Sequence, residues 1–211
     1  MTDSRARVLG TIRKTLNRTE QSPLVDSPPS VPSPRYRTPL PADVVEQFSL
    51  MHKRVHGTLE AVGSLQDVPQ AVRRYLNEQS IPIKAVISPE PELSSIEWTG
   101  LDVESRASNR EDASSVTMAF AGIAETGTLV MVSSRESPVN HHFLPEFNIA
   151  VLKQSRLVDS MESLWPLIGE QPRAINLITG PSKTADIEQT IVYGAHGPRT
   201  LHVILVRDVV S

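Results

Sequence analysis

Apolar positions along this chain fall into three regimes. Near the start, Val8, Leu9, Ile12 and Leu16 recur at helical spacing with Arg5, Arg7, Arg13, Lys14 and Arg18 around them, which predicts a short amphipathic helix over residues 3–18. Residues 22–41 then hold seven of the 17 prolines. Repeated loss of backbone donors rules against helix or central strand there, so this stretch is expected to be a linker or extended arm. Beyond it, helical and strand-like runs alternate. Helices are expected over 43–55, 68–79 and 160–168, and strands over 59–62, 85–88, 128–133, 148–152, 174–179 and 201–206. The stretch 91–112 is less regular, with one strand near 101–103. The strand runs are almost continuously apolar, as suits strands covered on both faces. The pattern predicts an α/β domain over 42–211, with a largely parallel sheet flanked by helices, behind an arm of residues 1–41.

Composition narrows the chemistry. The 211 residues include no cysteine. That excludes disulfides, thiolate zinc sites, a cysteine nucleophile and iron–sulfur clusters held by cysteines of this chain. No run approaches the ~20 apolar residues of a membrane span, and no leader pattern opens the chain, so a cytoplasmic protein is expected. The net charge of −3 is uneven, because residues 1–41 carry seven basic and three acidic side chains. The body is therefore more acidic than the whole, which argues against nucleic acid as a partner. Only the basic arm is expected to touch phosphate.

Common nucleotide and metal motifs are absent, with no GxGxxG, Walker A or HExxH run. His141 and His142 are the one close histidine pair; on an extended segment they would face opposite sides and serve a single metal poorly. No metal site is expected. Two runs place glycine and hydroxyl residues at strand ends. In the first, residues 121–128, Glu125, Thr126, Gly127 and Thr128 precede a strand. Its amides and hydroxyls suit an anion, and Glu125 suits a base or nucleophile; equally, the run is a tight turn whose polar groups satisfy each other. The second, residues 179–188, carries Gly180, Ser182, Lys183, Thr184, Asp186 and Glu188 after an apolar strand, where open α/β sheets bind ligands. It also reads as a helix cap, with Ser182 or Thr184 opening a helical turn. His196, between Gly194 and Pro198, is a candidate acid or base, or a residue that merely bonds its turn.

The segments AFAGIAETGTLVM (119–131), FLPEFNIAVL (143–152), ITGPSKTADIEQTIVYGAHGPRTLHVILV (178–206) and LDVESRASNRED (101–112) resemble the lactate-utilisation protein C family, the LUD domain, in order over about residues 40–206. The resemblance implies a fold similar to the NagB/RpiA/CoA-transferase group, with its site at strand ends. It also implies a part in bacterial oxidation of L-lactate to pyruvate beside iron–sulfur partner proteins. The matched positions are Glu125, Thr126, Gly127, Thr128, Gly180, Ser182, Lys183, Thr184, Asp186, Glu188 and His196. Lys183 stands where the family often has Arg, which keeps the charge but loses a bidentate clamp. Three functions follow as expectations. In the first, a small 2-hydroxy or 2-oxo acid is held by Lys183 and nearby amides while Glu125 or His196 moves a proton, and electrons leave through a partner. In the second, the chain is a non-catalytic assembly subunit that docks its partners through the basic helix and proline arm. The third, CoA or nucleotide chemistry, rests on fold analogy.

Overall fold

In the computed structural model, residues 4–19, 43–169, 172–185, 191–194 and 196–208 are described. The chain divides into two units, Met1–Thr38 and Pro39–Ser211. The first contributes helix α1 (Ser4–Thr15), none of whose residues is buried. Its apolar stripe is open, with Val8 and Leu16 more than half exposed. The expected arm over 22–41 lies outside the described residues.

The second unit begins with α2 (Val44–Arg54), capped by the Asp43 carboxylate, which accepts the backbone N–H of Val45 at 2.8 Å and of Glu46 at 3.1 Å. Next come β1 (Thr58–Val62), α3 (Val68–Glu78), β2 (Lys84–Ile87), α4 (Pro91–Ser94), β3 (Asp102–Ser105), β4 (Ser114–Met118), β5 (Ala121–Ile123) and β6 (Thr128–Val132). The chain continues through α5 (Asn140–Phe143), β7 (Phe147–Lys153), β8 (Leu157–Val158), α6 (Met161–Leu164), β9 (Ile175–Ile178), β10 (Lys183–Ala185), β11 (Ile191–Tyr193) and β12 (Thr200–Val206).

Six strands form one wholly parallel sheet in the order β1-β12-β7-β4-β2-β3. A second sheet, β8-β5-β6-β9, is mostly antiparallel, and β10-β11 is an antiparallel ribbon. Strand alternation builds three apolar clusters. One face of the parallel sheet (Val116, Ile149, Val151, Ile204, Val206) packs on Val68, Val72, Tyr75 and Leu76 of α3. Its other face (Ala150, Leu152, Val203, Leu205) meets Phe48 of α2 and Leu129 and Met131 of β6. The far side of β6, through Val130, packs with Ile123 and Leu164. The order is thus helix, parallel sheet, second sheet, helix.

The expected α/β fold with a mostly parallel sheet is what the chain adopts, with four local corrections. The strands expected over 128–133 and 174–179 are β6 and β9, which belong to the antiparallel sheet, so the rule placing ligands at the carboxyl ends of parallel strands does not reach the run after β9. His141 and His142 lie on the helical turn α5, both buried, rather than on extended chain. No helix opens at Ser182 or Thr184, because Lys183–Ala185 is strand paired with β11. Within 160–168 the helix stops after one turn and tightens to 3-10 geometry at Trp165–Leu167, where Pro166 removes an interior donor.

Candidate functional site

Those expected site residues that are described lie toward the amino edge of the parallel sheet, beside the stretch that enters β1. Gly127 has φ +66, and a Cβ there would sit 2.3 Å from the backbone nitrogen of His52, near the end of α2. Gly180 has φ +76, and its Cβ would sit 2.2 Å from the carbonyl oxygen of Val55. Only glycine tolerates both the left-handed backbone and so close an approach. The two turns are thereby pressed onto the stretch that leads into β1. His52 Nδ1 lies 3.1 Å from the Gly127 carbonyl oxygen and its ring stacks on Phe48. Burial depresses its pKa, with backbone contacts to Gly127, Leu201 and Thr58 acting in opposition.

Between the turns runs a row of hydroxyls. Thr126 Oγ1 is 2.6 Å from Thr128 Oγ1, which is 2.7 Å from Thr179 Oγ1. The half-buried Glu125 joins the β8 side, its backbone N–H donating to the Asp159 carbonyl at 3.0 Å. Ser182 donates its N–H to Pro198 O at 2.9 Å, and its Oγ accepts the His196 N–H at 3.4 Å. Lys183 and His196 are exposed. The backbone of Thr184 lies in β10; Asp186 and Glu188 lie outside the described residues.

At the opposite, carboxyl edge, a cleft of about 310 Å³ opens where β2, β4 and β7 end, lined among others by Glu90, Met118, Phe120, Ser137, Lys153 and Arg156. Ligands of parallel α/β sheets bind at this edge. The Glu90 carboxylate accepts the Met118 backbone N–H at 3.0 Å and a short bond from Ser88 Oγ. Burial raises its pKa from the ordinary carboxylate value, against the lowering effect of bonds from Ser88, Met118 and Ser137. Lys153 Nζ pairs with Glu92 at 2.9 Å, and the Arg156 guanidinium lies 5.6 Å from the centroid of the Phe120 ring. A guanidinium lying over an aromatic face still presents N–H groups at its edge, in a fork that matches a carboxylate. The cleft therefore combines an apolar wall, the Arg156 cation, the Lys153–Glu92 ion pair and a carboxyl group shifted toward its protonated form, a set able to hold a small organic acid and exchange a proton with it.

Sequence reasoning did not single out Glu90, Lys153 or Arg156. The signal was present: Glu90 sits in Ser88-Pro89-Glu90-Pro91 directly after an apolar strand, and Lys153 directly follows another. Two buried polar clusters were also unforeseen. His141 Nδ1 is 2.7 Å from Ser108 Oγ, while Asn148 Nδ2 and Ser115 Oγ both donate to the His141 carbonyl at 2.8 Å. His202 Nδ1 is 2.8 Å from Thr58 Oγ1, and its ring stacks on Tyr75 with centroids 4.1 Å apart. Burial holds His141, His142 and His202 each at about 4. Among the described residues no group of three or more His, Cys, Asp or Glu could hold a metal ion, and no helix is long and apolar enough to cross a membrane.

Comparison with known proteins adds to this geometry. The LUD domain family model matches residues 45–206. A Geobacillus kaustophilus protein named "Lactate utilization protein C" is 41% identical over 106 residues, covering 46% of this chain and 44% of that protein. Its Bacillus subtilis namesake is 35% identical over 120 residues, covering 53% and 50%. The chain thus spans about half the length of these curated relatives. Among solved structures, a DUF162 family protein from Deinococcus radiodurans superposes with a TM-score of 0.55 at 21% identity, over 77% of this chain and 96% of that one, a likeness of fold.

Proposed function

The chain belongs to the LUD domain family, and from that premise we propose that it serves lactate utilisation by binding a small 2-hydroxy or 2-oxo acid in the cleft at the carboxyl edge of its parallel sheet. The observation that carries this reading is the pairing of a half-buried Glu90, its pKa raised by burial, with Lys153 and Arg156 around one cleft. Arg156 and Lys153 take the ligand carboxylate, Met118 and Phe120 cover its short carbon chain, and Glu90 exchanges a proton with the oxygen on C2. Oxidation of a 2-hydroxy acid to its 2-oxo acid breaks the C2–H bond as well as the O–H bond and releases two protons and two electrons in all. The O–H proton goes to the Glu90 carboxylate, the C2 hydrogen leaves as a proton to solvent, and a chain without cysteine holds no thiolate-ligated cluster to receive the electrons. The electrons therefore pass to iron–sulfur partner proteins, and this chain supplies binding and proton transfer.

Isothermal titration of the purified chain with L-lactate and pyruvate tests the reading. Saturable binding that is lost in Arg156→Ala is expected; unchanged binding in that variant rejects the cleft. A second reading keeps the ligand at the amino edge, with Lys183, Ser182 and the backbone of Gly180 and Thr184 as its anion cradle, Asp186 and Glu188 near by in sequence, and Glu125 or His196 as the proton carrier. The continuous row Thr126–Thr128–Thr179 favours it. Loss of lactate binding in Lys183→Ala, with Arg156→Ala unaffected, selects this reading. A third outcome, no binding of either acid, selects the accessory subunit that docks partner proteins.

A further inference from the structure

Helix α2 ends in a two-bond motif in which Gly57 N–H donates to His52 O at 3.0 Å and His56 N–H to Lys53 O at 2.9 Å. That motif needs a left-handed residue between the helix and Gly57, and His56 has φ +70. Glycine is the unstrained occupant of such a position, so a histidine there keeps its side chain at a cost in strain. The imidazole is exposed, with Nδ1 3.3 Å from the Tyr193 hydroxyl and ring centroids 6.1 Å apart. Tyr193 stands directly opposite Lys183 in the β10-β11 ribbon, and directly opposed residues of antiparallel strands project from one face. Ser182, next to Lys183, anchors the turn that carries His196.

We propose that His56, Tyr193, Lys183 and His196 form a binding site for a phosphate group, separate from the carboxyl-edge cleft. Three chain segments meet here, and the described residues within 53–57, 180–185 and 191–199 include Lys53, Arg54, His56, Lys183, His196 and Arg199 and no acidic residue, while Asp186 and Glu188 lie outside the described residues. Arg199 pairs with Glu146 at 3.1 Å; His56 touches the Tyr193 hydroxyl, Lys183 shares a face of the ribbon with Tyr193, and His196 bonds Ser182 through its backbone N–H. This cluster lies in a body whose balance is acidic, and the proposal departs from the expectation that only the basic arm meets phosphate. A phosphate group carries nearly two negative charges and three terminal oxygens. It can accept from an ammonium, a phenol and imidazole N–H groups together, whereas the two oxygens of a carboxylate would use fewer of these donors. The same chemistry is offered by free phosphate and by a nucleotide, whose base would lie on the Tyr193 ring.

The test is calorimetric titration of the full chain with inorganic phosphate and with ADP, alongside thermal melts. His56→Gly is expected to raise Tm by roughly 2–4 °C by relieving the left-handed strain while weakening phosphate binding about tenfold. Lys183→Ala is expected to weaken it similarly without the gain in Tm, and lactate should not displace the phosphate. Equal affinity for the two ligands identifies free phosphate as the source, and tighter ADP binding a nucleotide; both uphold the site. Absence of saturable binding to the parent chain overturns the proposal, as does parent-like affinity in both variants. A His56→Gly chain that melts no higher than the parent overturns the strain argument that led to it.

Discussion

The backbone N–H of Met118, at the end of β4, donates to the Glu90 carboxylate at 3.0 Å, tying the turn after β2 to the strand beside it. The carboxyl is thus both a brace between two strand ends and the acid in the candidate cleft. Because burial raises its folded-state pKa, Glu90 stabilises the fold most below its unfolded value, and that contribution falls as pH rises through the folded value. Glu90→Gln, which can still accept both bonds, is expected to gain in Tm relative to the parent as pH rises from 4 to 8. Melts across that range check it, and parallel curves for the two chains would contradict the assignment.

The buried histidines titrate in the opposite sense. His141, His142 and His202 are held at about 4 by burial, below the ~6.5 of an unfolded imidazole. Their stabilising effect is complete above pH 6.5 and is lost as pH falls toward 4, because unfolding then takes up protons. Denaturant titrations at pH 7 and pH 5 should show the folded state less stable at pH 5. Replacing His142 by Gln should shrink that difference; if it leaves the difference intact, His142 is not among the groups responsible.

Gly127→Ala tests the contact between the first glycine turn and α2. The added methyl would meet the His52 backbone at 2.3 Å in a left-handed conformation, and neither partner is a flexible side chain. A loss of roughly 3 kcal/mol or more is expected from combined clash and strain. Chemical denaturation measures it, and a loss below about 1 kcal/mol would mean that the turn moves freely against the helix.

Ser80 offers a gain. It has φ +57 in the motif that ends α3, where Ile81 N–H donates to Leu76 O at 3.1 Å and Ser80 N–H to Asn77 O at 3.0 Å. Ser80→Gly removes the left-handed strain and is expected to stabilise by about 0.5–1 kcal/mol. An unchanged denaturation midpoint would show that the serine sits there without strain.

Much of the fold was legible because its strands are apolar runs with clear ends: β7 and β12 differ from their expected bounds by one residue or none at each end. The strand β4 was missed because its sequence, Ser114-Ser115-Val116-Thr117-Met118, looks like a polar loop. Its two serine hydroxyls are buried and bonded, Ser114 Oγ to Lys84 O at 2.6 Å and Ser115 Oγ to His141 O at 2.8 Å, so tertiary partners supply what composition did not suggest. The direction of strand pairing was hidden for a related reason. β6 is as apolar as the parallel strands, since each of its faces meets another layer, and apolarity reports burial rather than orientation. For the site, the glycine runs were found because glycine marks backbone constraint. Glu90 escaped because a carboxylate acquires its meaning only from the strand ends around it.

The place of β12 in the parallel sheet has a consequence for how the protein is made. Among the described residues β1 pairs only with β12, which lies about two-thirds of the chain later, and β12 also separates β1 from β7. On the ribosome, β1 and the adjoining helix therefore emerge long before their partner, and the sheet stays split until residues 200–206 arrive. So late a closure through distant contacts is slow and leaves apolar strand edges open in the nascent chain. A ribosome stalled before β12 would carry a protein whose layers cannot yet lock together, a natural client for a chaperone.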